Sequence, residues 1–182
     1  SKGAATTARY VDEGTEVMVV SCTGGERGDV INEQVKELVD LHGIHQLSQL
    51  EMPEAARILG VRHEWLGFMD SGFPDSGFPD SGVTEEEPLP EDAFALVPLT
   101  VSVPPLVKLL REFRPQVVTT YDENGGYPHP DHIQTHVITI AAIAVAADPE
   151  AHPELGPGHQ VQKVYYNQQF HKERVVALHN LL

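Results

Sequence analysis

The densest group of side chains that could do chemistry lies in residues 121–136, which read YDENGGYPHPDHIQTH. Three histidines, two aspartates, a glutamate and two tyrosines occur there beside a pair of glycines. Imidazole is the side chain best suited both to bind zinc and to transfer protons near neutral pH. The segment therefore predicts an active site that uses metal-binding or acid–base chemistry.

Two of these histidines, His132 and His136, have a His-x-x-x-His spacing that would place two metal ligands on one helical face. No glutamate follows His132, so the zincin motif lacks its general base. A catalytic zinc site usually takes three protein ligands and leaves one position for water. We expect His132, at the start of a helix, to be the best single ligand, and His129, in the preceding loop, to act on a substrate. The alternative is that these histidines only cap a helix and bind backbone groups.

The elements on either side of this segment would position it. Residues 115–121 (PQVVTTY) are rich in β-branched side chains, which predicts a buried strand. Residues 133–147 are apolar enough for a buried helix, with Asp131 as its N-cap or first-turn acid. Polar groups just past the carboxyl end of a strand in an α/β sheet are placed for ligand chemistry.

Strands and helices alternate along the rest of the chain. Helices are predicted over residues 4–13, 47–59, 101–113 and 171–182, and strands over residues 15–22, 61–68 and 161–167. Pro53 should interrupt the second of these helices and Gly60 should end it. This alternation predicts the α/β class, with a mostly parallel sheet and helices on both faces.

The composition excludes several classes of protein. A chain of 182 residues predicts one domain, and its net charge of −15 makes nucleic acid an unfavourable partner. The same charge could serve solubility alone. Cys22 is the single cysteine, which indicates a reducing compartment and hence the cytoplasm. The longest apolar run, residues 137–147, is too short to span a membrane.

Two loops carry acidic side chains. The loop TGGERGD, residues 23–29, could be a tight turn or a phosphate site, but Glu26 and Asp29 disfavour an anion and suit a hydroxyl-rich ligand. The sequence DSGFP begins at Asp70 and again at Asp75, and DSG recurs at Asp80. We interpret this repeat as a local duplication within a loop.

Several blocks of the chain resemble the LmbE-like (PIG-L) family of zinc-dependent N-deacetylases. These blocks are TGGERGD, AARILGV, LGFMDSG, LREFRP, YDENGGYPHPDHIQTH and KVYY, in the order and spacing of that family. Within the family, the chain is most similar to the branch of mycothiol S-conjugate amidases. The resemblance covers nearly all of residues 1–182. It implies a single LmbE-like domain with a Rossmann-like three-layer α/β fold whose first strand is missing.

The resemblance also implies roles for particular residues. His132 matches a zinc ligand of the family, and His129 matches the histidine that stabilises the oxyanion or protonates the leaving amine. Asp131 matches the neighbouring partner of that histidine. Tyr127 matches a tyrosine that closes over the substrate.

Substrate-binding positions follow from the same resemblance. Glu26 and Asp70 match acidic residues that hold sugar hydroxyls, and Lys2 matches a lysine typical of the amidase branch. The chain departs from the family at Ser48 and Gln49, where an arginine would contact the sugar–inositol ligand.

The family's Ala-His-Pro-Asp-Asp-Glu motif supplies the other two zinc ligands and the general base. We expect this sequence to begin just after that motif, to be truncated at both ends, and to be inactive as it stands. The implied reaction is zinc-dependent cleavage of the amide in a sugar–inositol thiol conjugate, a small-molecule partner. The alternatives are an N-acetylglucosaminyl(-inositol) deacetylase and a metal-free sugar-binding remnant. The oligomeric state is not predicted.

Overall fold

The computed structural model describes residues 3–28, 33–34, 43–72, 88–167 and 172–180. The chain divides into two compact units, Ser1–Phe94 and Ala95–Leu182. Each unit contains a pair of parallel strands with a helix between them in sequence. The predicted α/β class with parallel strands is thus confirmed.

The first unit contains the following helices and strands whose bounds the structure gives. They are α1 (Ala4–Asp12), β1 (Met18–Thr23), α2 (Ile44–Leu59) and β2 (Arg62–Phe68). Strand β1 pairs in parallel with β2, and the register runs from Met18 opposite Arg62 to Thr23 opposite Phe68, with an irregularity after Ser21. The carboxyl ends of both strands therefore lie at the same edge of the sheet.

Helix α2 differs from its prediction at one end and in its middle. It begins at Ile44 and continues through Pro53 without a break. A proline removes one backbone donor from a helix, but it does not prevent the following residues from continuing the helix when the surrounding turns hold. The predicted end is confirmed, because Gly60 adopts the left-handed conformation, with φ of 70°, that often follows a helix.

Aromatic packing just after β2 forms the core of the first unit. Phe94 is fully buried, and its ring stacks on Phe68 with ring centroids 5.2 Å apart. The backbone N–H of Phe94 donates to the carbonyl of Met69 at 2.8 Å. These contacts fix the chain immediately after β2, where Asp70 follows.

The second unit consists of the remaining elements. They are α3 (Leu99–Phe113), β3 (Val117–Thr120), α4 (Pro130–Ala147), β4 (Lys163–Tyr166) and α5 (Lys172–His179). Short 3₁₀ turns occur at Phe94–Leu96, which contains the boundary between the two units in sequence, and at Pro153–Leu155. Strands β3 and β4 are parallel, with Val117 opposite Lys163 and Thr120 opposite Tyr166. Helix α3 begins two residues earlier than predicted.

Helices α3 and α4 pack against each other and supply the core of the second unit. Val107 on α3 and Ile138 and Ala142 on α4 are fully buried. Helix α4 begins at Pro130, and Asp131 lies in its first turn. The sequence predicted Asp131 either as the N-cap or in the first turn, and the second alternative is confirmed. None of the helices in the described ranges, α4 included, is long and apolar enough to cross a membrane.

The prediction that residues 115–121 form a buried strand is confirmed for burial only at the end of the strand, where Thr120 is 4% exposed. Val117 is 47% exposed and Tyr165, in the paired strand, is 54% exposed. Within the described residues β3 is hydrogen-bonded only to β4, so most of the surface of this two-stranded sheet stays open. β-Branched residues favour the strand conformation itself. Burial requires other elements that pack on the strand, and a run of β-branched residues does not predict them.

A buried arginine holds the carboxyl end of α4. Arg111 on α3 is 2% exposed, and its guanidinium donates to six main-chain carbonyl oxygens at 2.6–3.3 Å. The acceptors are the carbonyls of Val145, Ala146, Asp148, Ala151, His152 and Gly156. A cation suits the negative end of a helix, so Arg111 satisfies the last carbonyls of α4 and the loop that follows it.

Candidate functional site

Residues 121–129 form the loop that connects the carboxyl end of β3 to α4. The carboxylate of Asp122 accepts hydrogen bonds from the backbone N–H groups of Asn124 and Gly126 at 3.0 and 2.8 Å, which folds the loop into a tight turn. Gly125 has a φ of 72°, and an added Cβ there would lie 2.8 Å from Cβ of His132. Only glycine therefore lets the loop approach the helix this closely.

The imidazole of His132 is oriented by two contacts. Its Nδ1 lies 3.0 Å from the carbonyl oxygen of Gly125, and its ring stacks on Tyr121 at a centroid distance of 4.0 Å and an angle of 10°. A carbonyl can only accept, so Nδ1 must carry the proton and Nε2 carries the lone pair of the neutral ring. Histidines that bind a metal usually make such a bond with the other ring nitrogen, and the alternative in which the histidine only binds backbone requires the same bond.

His129 has the opposite tautomer. It is the N-cap of α4, and its Nδ1 accepts a hydrogen bond from the backbone N–H of Asp131 at 3.1 Å. In the neutral ring Nε2 must then carry the proton, which makes it a hydrogen-bond donor. The His129 and His132 rings lie 4.8 Å apart. In the neutral rings, Nε2 of His129 therefore carries a proton and Nε2 of His132 carries a lone pair.

Tyr127 and Asp131 complete the group that the sequence predicts here. The ring of Tyr127 packs edge-on against both histidines, with centroids 6.0 Å from His129 and 4.9 Å from His132. Asp131 is 7% exposed, and its carbonyl accepts from the hydroxyl of Thr135 at 2.7 Å. The structure thus brings the four predicted residues of this segment together at the amino end of α4. Their roles stay predictions.

His136 has a backbone partner, as the helix-capping alternative requires. Its Nδ1 donates to the carbonyl of Tyr121 at 2.9 Å, and its ring packs against Tyr166. His132 and His136 therefore both bind carbonyls of the loop that precedes α4. Sequence reasoning did not single out Tyr121 as a site residue. An aromatic residue at the end of a strand was the only signal for it.

A second polar cluster follows β1 and β2 in the first unit. Its centre is Glu26, whose Oε1 accepts from the backbone N–H of Gly24 at 3.1 Å and lies 2.9 Å from Nδ1 of His45. Its Oε2 accepts from the backbone N–H of Asp70 at 3.0 Å. The carboxylate of Glu26 therefore contacts the backbone of Asp70, the other predicted substrate-binding acid, at the carboxyl ends of adjacent parallel strands, where ligands bind in α/β sheets.

Arg27 and Gln49 surround this cluster. Arg27 donates to the carbonyl of Asp70 and, at 2.7 Å, to the carboxylate of Asp92. Gln49 contacts the ring of His45, with its Nε2 2.8 Å from Nε2 of the imidazole. Sequence reasoning missed His45, because nothing in the spacing of residues 26 and 45 links them. Lys2, Asp75 and Asp80 lie outside the described residues.

Within the described ranges no group of three His, Cys, Asp or Glu side chains is arranged to hold a metal ion. A catalytic zinc site takes three protein ligands, so those residues alone do not form one. The tautomer of His132 nevertheless suits one ligand of such a site, because a lone pair on Nε2 is what a metal requires.

The chain is similar to known enzymes over most of its length. It is 53% identical to a mycothiol S-conjugate amidase of Streptomyces coelicolor, over all of this chain and 61% of that protein. It is 41% identical to a 1D-myo-inositol 2-acetamido-2-deoxy-alpha-D-glucopyranoside deacetylase of Geodermatophilus obscurus, over 89% of this chain and 54% of that protein. The chain therefore spans between half and two thirds of the length of these relatives.

A solved structure shares the fold. An N,N'-diacetylchitobiose deacetylase from Pyrococcus horikoshii superposes with a TM-score of 0.61 over 96% of this chain and 60% of that one, at 22% identity. The family profile described as PIG-L, GlcNAc-PI de-N-acetylase, matches residues 2–143, which include both polar clusters. The chain belongs to the PIG-L (GlcNAc-PI de-N-acetylase) family.

Proposed function

We propose that the protein containing this chain is a zinc-dependent amidase. In the proposed reaction, water adds across the amide of a mycothiol S-conjugate, and the products are glucosaminyl-inositol and an S-substituted acetylcysteine. The observation that carries the chemistry is the pair of contacts at Nδ1 of His129 and Nδ1 of His132, from which we infer opposite tautomers. The 53% identity to a mycothiol S-conjugate amidase supports the choice of substrate.

His132 would hold the zinc ion through Nε2, while its Nδ1–H stays on the carbonyl of Gly125. Bound zinc would lower the pKa of a water molecule and polarise the amide carbonyl. The Ala-His-Pro-Asp-Asp-Glu motif to which the resemblance assigns the other two ligands and the general base does not occur within residues 1–182. The activity is therefore proposed for the protein at its full natural length.

The Nε2–H of His129 is the donor that this chain contributes to the reaction. It would hydrogen-bond to the negative oxygen that develops on the amide carbon, or give its proton to the leaving amine. The N-cap bond from Asp131 keeps the proton on Nε2, because Nδ1 must remain an acceptor. Tyr127, which packs against both imidazoles, would close over the substrate.

Glu26 and Asp70 would bind the hydroxyl groups of the sugar–inositol portion. Carboxylates are strong acceptors for hydroxyl donors, and the hydrogen bond from the backbone N–H of Asp70 to the Glu26 carboxylate supports the assignment of both residues to one subsite. Lys2 would contact the acyl side of the conjugate. A thiol-conjugate substrate and a single cysteine agree with a reducing compartment, so we propose the cytoplasm.

A deacetylase of the N-acetylglucosaminyl-inositol substrate is the second candidate, and the 41% identity to a protein with that name favours it. Both reactions use the same site and differ in the acyl group. The test is kcat/KM of the full-length zinc protein for an S-alkylated mycothiol and for the N-acetyl sugar–inositol. The amidase proposal predicts at least a tenfold preference for the conjugate, whereas a preference for the N-acetyl substrate would replace it by the deacetylase.

A further inference from the structure

We propose that His45 is a positioning residue for Glu26, and that with Gln49 it determines how tightly this subsite binds a hydroxyl-rich ligand. The inference rests on the proposed function, because it assumes that Glu26 contacts the sugar–inositol portion of the substrate. It goes further by assigning a role to His45, which the family resemblance leaves unassigned, and to Gln49, which stands where the family has an arginine that contacts the ligand.

The hydrogen-bond directions around His45 follow from the chemistry of its neighbours. The Glu26 carboxylate accepts only, so Nδ1 of His45 must donate to it across 2.9 Å. In the neutral ring Nε2 is then an acceptor, and it must receive its bond from the amide N–H of Gln49 at 2.8 Å. Gln49, His45 and Glu26 therefore form one directed chain of hydrogen bonds.

Among the described residues, three bonds to the Glu26 carboxylate leave one of its lone-pair sites for a ligand. A carboxylate offers about four lone-pair sites. Oε1 receives the bonds from Gly24 and His45, and Oε2 receives the bond from the backbone of Asp70. The remaining site on Oε2 can accept one hydroxyl of a ligand. Because His45 holds Oε1, it fixes the direction in which Oε2 points.

Gly24 shows how closely this group is packed. Gly24 is buried, and a Cβ added to it would lie 2.4 Å both from Oε1 of Glu26 and from Nδ1 of His45. Any larger residue would have to push the carboxylate and the imidazole apart. The backbone at Gly24 therefore supports the same geometry that His45 imposes from helix α2.

Gln49 stands where the family has an arginine that contacts the sugar–inositol ligand, and it contacts His45 instead. A guanidinium could contact the ligand directly with a full positive charge. Gln49 instead donates to His45, which donates to Glu26, so a neutral relay orients an ionised acceptor. An ionised acceptor held by neutral donors favours uncharged polyols over phosphorylated ones.

The test measures binding of glucosaminyl-inositol, the proposed product, to the full-length protein by calorimetry. We expect His45→Ala to weaken binding about tenfold, the lower end of the range for a hydrogen bond to a charged group. His45→Asn should bind nearly as the wild type does, because its amide can donate to Glu26 from the position of Nδ1. Gln49→Leu should cause a smaller loss in the same direction.

Two controls separate positioning from a general structural effect. In a Glu26→Gln background, His45→Ala should have no further effect on binding. His152, whose Nδ1 also lies 2.9 Å from a glutamate and whose side chain is similarly exposed, provides a matched histidine, and His152→Ala should leave binding unchanged. Unfolding midpoints of all variants should agree with that of the wild type.

The outcomes distinguish the two proposals. If the wild type binds glucosaminyl-inositol but does not hydrolyse the conjugate, the proposed function fails and the role of His45 is still measured. If the wild type hydrolyses the conjugate but His45→Ala binds the product equally well, the positioning role is wrong and the function stands. Additive effects of His45→Ala and Glu26→Gln, or no binding by the wild type, would also overturn the positioning role.

Discussion

Replacement of His129 by asparagine should separate the helix cap that this residue forms from the catalytic role that we propose for it. The Nδ1 of His129 caps α4 by accepting the backbone N–H of Asp131 at 3.1 Å, whereas the proposed chemistry uses Nε2–H. Asparagine is among the best N-cap residues, and its side-chain oxygen can accept the same backbone bond. It has no donor at the position of Nε2. The change therefore removes the proposed catalytic donor and keeps the cap.

The expected magnitudes differ enough to be measured. Loss of an N-cap acceptor costs about 1 kcal/mol of stability, so His129→Ala should be less stable than the wild type by about that amount. His129→Asn should be within about 0.5 kcal/mol of the wild type. Loss of an oxyanion donor lowers kcat about 10²–10³-fold, equivalent to roughly 2.7–4 kcal/mol, and both variants should show this loss.

The assay combines urea unfolding, zinc content and kcat for the three proteins at full natural length. Both variants should retain zinc, because His132 and not His129 is the proposed ligand. Turnover by His129→Asn close to that of the wild type would show that Nε2 is not used. Loss of zinc from either variant would make His129 a ligand and reverse the assignment of the two histidines.

Three further predictions concern other parts of the chain. Arg111→Met should lower the free energy of unfolding in urea by about 3–5 kcal/mol, because buried carbonyls lose their donor, whereas exposed Lys108→Met on the same helix should have little effect. Burial lowers the pKa of His63, an effect that Glu64 opposes, so the unfolded chain binds the proton first as the pH falls. Stability should therefore decrease as the pH drops through about 6.5, and His63→Gln should weaken this dependence when unfolding is compared from pH 8 to 5. Lys2→Ser should reduce kcat/KM for the conjugate about ten- to a hundredfold more than for the N-acetyl substrate, and equal losses would remove its role in specificity.

Much of the second unit could be predicted from the sequence. The strand before the histidines and the helix after them are local patterns, and the structure has both, with the histidine loop between them. For the start of α4 the sequence left two alternatives, Asp131 as the N-cap or Asp131 in the first turn, and the structure has the second. Pro130 occupies the first helical position, where proline is favoured, and the cap is a histidine, which cap preferences do not anticipate.

The tautomers of His129 and His132 could not be predicted, because each depends on a backbone group that only the folded loop supplies. The carbonyl of Gly125 reaches His132 because the turn around Asp122 reverses the chain. His45 was missed for a similar reason. Its contact with Glu26 joins a loop to a helix nineteen residues later, and neither residue lies in a pattern that includes the other.

The most direct test of the account is the zinc content of His132→Ala beside that of His136→Ala, both at full natural length. The two histidines lie one turn apart on α4, and both donate Nδ1–H to a carbonyl of the same loop. They therefore match in residue type, helix and backbone contact. The account predicts that His132→Ala loses stoichiometric zinc and amidase activity together, while His136→Ala keeps its zinc. Full zinc in His132→Ala would contradict the account.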